Sequence, residues 1–176
     1  MGTLRNPSSR VIGVHGLPTP VISLIQEQAE VRGLFRDPLP EVTHGLRTDV
    51  VSVGSRWFGR SRPRRHAVEL LLTPDVLVVC DRDPDSDGMD PDTQVTFHRL
   101  QQVEVTAGDA DGAPGLSLLS TPVGSTERSC RVVSTDGGPE SARFFEALTD
   151  AAERSRTAAE TPVPRMPVDS RSPEYT

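Results

Sequence analysis

The chain has 176 residues, a formal net charge of −6 at pH 7 and only 4% aromatic residues. That length suffices for one domain with a core, since a domain of about 150 residues buries roughly 70% of the surface of its unfolded chain. The negative balance excludes a protein whose whole surface attracts nucleic acid, which needs a positive field over its contact face, and no nucleic-acid partner is expected.

Residues 1–18 are polar and interrupted by Pro7, Gly13, Gly16 and Pro18, so they read as a flexible arm. His15 breaks the apolar run VIGVHGL, Asn6 departs from the myristoylation pattern, and no stretch approaches the ~20 apolar residues of a membrane span. A soluble cytoplasmic protein is expected. Its basic residues are all Arg, which with a single Asn and three Ile disfavours AT-rich codons and suggests a high-GC, bacterial genome.

Thr19 as N-cap, Pro20 at the first helical position and an apolar set of Val21, Ile22, Leu24, Ile25 and Ala29 predict a short helix that stops at Gly33. The segment DPLPEVTHG, Asp37 to Gly45, reads as a Pro-rich linker, so 19–45 is a helix and linker ahead of the main domain. From Leu46 the period becomes that of strands. Seven short ones are expected at 49–55, 65–73, 76–80, 95–97, 102–106, 115–120 and 129–134, with a tight Thr73-Pro74-Asp75 turn between the second and third.

The last element is a helix. Pro139 opens it, Glu140 suits the positive end of its dipole, and Phe144, Leu148 and Ala151, flanked by Phe145 and Ala152, form a stripe to bury on the sheet. Beyond Arg156, residues 157–176 hold four prolines and no periodicity, and a disordered tail is expected. Cys80 and Cys130 belong to no CxxC pair and read as buried, reduced thiols.

Three stretches, VELLLTPDVLVVC, VTFHRLQQVEVT and RVVSTDGGPESARFFEALTDAA, resemble the strand-turn-strand, the LxxVxV segment and the last strand with capping helix of bacterial pleckstrin-homology-like (PH-like) domains. The resemblance covers 46–156. It implies a mainly β, seven-stranded, partly open barrel or sandwich capped by the C-terminal amphipathic helix, and a module that binds a protein or a lipid headgroup. One departure is the C-terminal helix, where eukaryotic members carry a Trp and this chain offers Phe144 or Phe145.

Two stretches are candidate sites. In SRWFGRSRPRRH, Arg56, Arg60, Arg62, Arg64, Arg65 and His66 gather around Trp57 and Phe58 with no acidic residue from Val50 to Val68. Guanidinium groups form paired hydrogen bonds with phosphate, and Trp and Phe suit a membrane interface or a protein hot spot. The bland alternative is a solvated loop whose Arg residues offset the acidic segment nearby.

That segment, DRDPDSDGMDPD, places Asp83, Asp85 and Asp87 before Gly88 as a calcium loop begins, but Gln94 stands where a bidentate carboxylate is needed and Asp90 where an apolar residue belongs. A solvated turn is the expectation, with Ca²⁺ the weaker alternative and no other cofactor. VHGLP lacks a GxSxG partner and the four histidines match no ligand spacing, so no enzyme is expected. The function expected is a non-catalytic binding module, with a protein partner or self-association first and an anionic membrane surface, through 56–66, as the alternative.

Overall fold

A computed structural model describes residues 3–53, 64–85, 92–110 and 113–160. Arg56, Trp57, Phe58, Arg60, Arg62, Asp87 and the tail from 161 lie outside the described residues. The fold is mainly β, with two antiparallel sheets and two helices. Sheet A runs in the order β1 (Thr3–Val11), β2 (His44–Val53), β3 (Arg64–Leu72), β4 (Val76–Arg82) and β5 (Gln94–Arg99). Sheet B runs β6 (Glu104–Ala110), β7 (Ala113–Ser120) and β8 (Ser129–Ser134).

Alternation along the strands sends Leu46, Val68, Leu70, Leu72, Leu77 and Val79 of sheet A towards Leu116, Leu118 and Val133 of sheet B. Helix α2 (Pro139–Glu160) closes this core with Phe144, Leu148 and Ala151. The other face of sheet A presents Leu71, Val76, Val78, Cys80, Val95 and Phe97, and helix α1 (Thr19–Val31) covers it with Val21, Ile25 and Ala29. The central strands β3 and β4 of sheet A are therefore buried on both sides. Every residue of β4 is buried, which is why VLVVC reads as a continuous apolar run instead of an alternating one.

Local chemistry punctuates the chain. Gly33, at φ 72°, ends α1: its N–H donates to Glu30 O and that of Leu34 to Ala29 O, a paired C-cap that left-handed backbone permits. Between β3 and β4 the Thr73 hydroxyl donates to Val76 O at 2.9 Å and accepts Val76 N–H at 3.0 Å.

The structure corrects several expectations. The described sheets do not close into a barrel, and eight strands are described rather than seven. The added strand is β1, within the segment read as a flexible arm. Its Ser8, Arg10 and Val11 side chains are exposed and it is held by backbone pairing to β2, with a register shift between Arg5 and Ser8 that accommodates Pro7. The linker holds a 3-10 turn, Leu39–Glu41, with Leu39 buried, and His44 and Gly45 already belong to β2. Pro18, not Thr19, is the N-cap of α1, and no side chain caps it. Helix α2 continues past Arg156 to Glu160, its Arg156 donating to Val103 O at 2.9 Å. Cys80 is buried as expected, but Cys130 is exposed.

Glycine at 45 is required by close approach, because a Cβ there would collide with the carbonyl oxygen of Ile12. Gly45→Ala is predicted to destabilise the fold by about 2 kcal/mol as β1 is pushed from β2. Gly108→Ala, where a Cβ meets nothing within 4 Å, serves as the control and should shift the urea midpoint far less.

Candidate functional site

The antiparallel order of β2 to β5 sets the start of β3 and the end of β4 at the same end of sheet A. Arg65 and Asp85, described members of the Arg-rich and Asp-rich stretches, are thus neighbours in the fold. Arg65 Nη1 lies 3.2 Å from Asp85 Oδ1, and both side chains are more than half exposed. Asp83 Oδ1 accepts the Asp85 N–H at 2.9 Å, the local turn bond of an Asp-led loop. Arg64 opens β3. Among the described residues no group of three His, Cys, Asp or Glu side chains is placed to hold a metal ion.

At this end of sheet A lie two polar networks, one on each face. Between the sheets, His66 Nε2 lies 3.0 Å from Asp81 Oδ1, and Arg131 of β8 donates to Asp81 Oδ2. Burial alone would raise the Asp81 carboxyl, but the His66 hydrogen bond and the Arg131 charge outweigh it and hold the carboxyl below its ordinary value. On the same side His98 is buried, its Nδ1 2.7 Å from Ser120 Oγ and its Nε2 3.0 Å from Thr96 Oγ1. Burial, with Arg131 adding to it, pushes His98 down to about 4, so the ring is neutral and ties sheet A to sheet B.

On the outer face Glu69 is fully buried and receives Arg82 Nη2 at 2.8 Å and Arg47 Nη1 at 3.4 Å. Arg47 also donates to Asp49 at 2.7 Å. Burial opposes the Arg82 charge, yet Glu69 more than compensates and the guanidinium pKa is raised. Cys80, opposite Glu69 in register, is pushed up to about 12 by burial and then by the Glu69 charge, so it is an inert thiol. Sequence reading missed this set. Its only trace is charged residues inside apolar runs, and their partnership depends on the register Arg47↔Glu69 and Glu69↔Cys80.

A concavity among the described residues lies elsewhere, where α2 passes the start of β2 and the β3–β4 turn. It is a groove of about 880 Å³ floored by Ile12, Leu72, Phe144, Ala147 and Ala151. Its rim is charged: Asp75, Glu140, Glu146 and Asp150 against Arg143 and Arg154. Among the described residues, Arg64, Arg65, His66, Asp83 and Asp85 do not line it. Compared with family models, curated proteins and solved structures, the chain matches none. Among the described residues, no helix is long and apolar enough to cross a membrane.

Arg82→Met leaves Glu69 as a buried, poorly paired charge and should cost about 3–5 kcal/mol in urea unfolding, whereas Glu69→Leu combined with Arg82→Met should recover most of that loss. For His98 the folded pKa lies below the unfolded value, so the unfolded chain binds the extra proton. Stability is then full above pH 6.5, falls as pH drops from 6.5 to about 4, and levels off there. The loss should reach about 3 kcal/mol in wild type relative to His98→Asn, measured by urea unfolding across that range. The Asp81 contribution is lost in the same direction, as pH falls, but only from its ordinary value of 3.8 downward, so the two windows separate.

Proposed function

We propose that this chain is a non-catalytic, PH-like binding module that holds a protein partner in the groove along α2. The observation that carries this reading is the groove itself, a preformed apolar strip with charges confined to its border. Such a surface suits an amphipathic segment laid in by its apolar side chains. With four carboxylates and two guanidinium groups on the rim, the complementary partner carries apolar anchors flanked by Lys or Arg.

The groups with the largest pKa displacements, Cys80 and His98, do not line the groove and are held inside the packed sheets, which favours a structural role for them over catalysis. The order of elements from β2 to α2 supports the PH-like reading: strands in two antiparallel sheets, then one C-terminal helix on their core. An anionic surface is the weaker occupant, because Arg65 is engaged by Asp85 and the basic stretch adjoins an acidic one.

Selection of a random peptide library displayed on phage should enrich sequences that combine large apolar residues with Lys or Arg. Their affinity should fall at least tenfold, about 1.4 kcal/mol, on Ala147→Trp, which fills the groove from a half-buried helix position. No enrichment, or binding indifferent to Ala147→Trp in a folded variant, would overturn the groove reading. Salt-sensitive flotation on phosphatidylserine vesicles would replace it with the lipid one.

A further inference from the structure

The groove follows α2 almost to the point where that helix stops. Its lining residues on α2 extend from Glu140 to Ala158, and the helix ends at Glu160. Residue 161 therefore follows within one helical turn of the end of the groove.

The span along the groove is short for the chain that comes next. Thirteen residues of helix separate Glu160 from Ala147, the middle of the three floor residues on α2, which is roughly 20 Å at about 1.5 Å per residue. A chain doubling back in extended form covers that span in about six residues, at roughly 3.3 Å each. With one or two residues for the reversal, Met166 and Val168 come level with Ala147 and Phe144.

The sequence of this stretch, TPVPRMPVDSRSPEYT, also matches the chemistry of the groove. Val163, Met166 and Val168 are its aliphatic side chains, Arg165 and Arg171 bracket the last two, and Asp169 is the one carboxylate between those guanidinium groups. Four carboxylates against two guanidinium groups on the rim favour a segment of net positive charge. Met adapts to an irregular apolar surface. Proline has no N–H to strand in an apolar recess, and it stands at 162, 164 and 167.

We propose that residues 163–168 dock in the groove of their own chain, running antiparallel to α2, and that an outside partner binds by displacing them. Such self-occupancy rests on the groove being a peptide site. A covalent tether of this length gives an effective concentration in the millimolar range. A segment whose intrinsic Kd lies below that keeps the groove mostly filled, and the apparent affinity of a partner falls by the fraction of chains in which the groove is open.

In the full chain carrying Ala147→Cys, Val168→Cys and Cys130→Ser, mild oxidation should give an intramolecular disulfide, read by mass spectrometry of the unreduced monomer. It should form at least tenfold faster than the link that Val168→Cys alone makes to the native, exposed Cys130. Adding Met166→Asp, which would bring a carboxylate onto the apolar floor, should slow it severalfold. A second arm leaves every groove residue native: Met166→Asp with Val168→Asp should raise the affinity of phage-selected peptides at least tenfold, with an unchanged circular dichroism spectrum. Linkage no faster than to Cys130, linkage indifferent to Met166→Asp, or peptide affinity indifferent to the paired substitutions would each overturn the proposal. If selected peptides then still bind and still weaken on Ala147→Trp, the groove stands as a peptide site without its own tail; if no peptide binds, the groove reading falls as well.

Discussion

The burial of the central strands of sheet A, β3 and β4, on both faces is the constraint from which most of the structure follows. One face supplies the core shared with sheet B and α2, and the other must be covered by α1. A strand in that position can carry polar groups only if they find partners within the fold, because an unpaired buried charge costs several kcal/mol. Glu69 meets this condition through Arg82 and Arg47, and Asp81 through His66 and Arg131. The two sets use opposite faces of the same strands, which alternation along β4 makes unavoidable for Asp81 and Arg82 as sequence neighbours.

The same strands are divided along their length. Near the β3–β4 turn they are apolar from Leu70 to Leu72 and from Val76 to Val79, and there the helices pack. Towards the opposite end they carry His66, Glu69, Asp81 and Arg82. The concave groove forms at the apolar end, where α2 crosses the start of β2 and leaves Leu72 and Phe144 at its floor. The charged end is cross-linked by ion pairs. Ion pairs at one end and an apolar recess at the other come from a single change of composition along two strands.

How much of this was legible depended on whether a feature is local or set by register. The α1 and α2 helices were legible because their apolar spacing, Gly33 and Pro139 act within a few residues. The strands from β2 to β8 were legible from β-branched and Leu-rich runs. Strand β1 was not, since TLRNPSSRV has no apolar face and exists through backbone pairing with β2. The Glu69–Arg82–Arg47 set was hidden because its members are separated by 13 and 22 residues and meet only in register. The groove was hidden for the same reason: Ile12, Leu72 and Phe144 come from three distant segments, and nothing in any one of them marks a shared recess. The Arg-rich and Asp-rich stretches were conspicuous in sequence, and of their described members Arg65 and Asp85 pair with one another.

The acidic balance of the chain has a related structural logic. Carboxylates accept backbone N–H groups where the fold would otherwise leave them open: Asp136 takes those of Ser9 and Gly138, Glu140 that of Val11, and Asp37 that of Leu39. Burial disfavours the Asp136 charge slightly, but the Gly138 N–H and the Ser141 and Ser9 groups outweigh this and keep the carboxyl ionised. Because acceptors of this kind sit just after β8, they reach β1 and leave β8 itself untouched. Side chains that follow the last strand of sheet B thus meet the outward groups of β1 at the edge of sheet A.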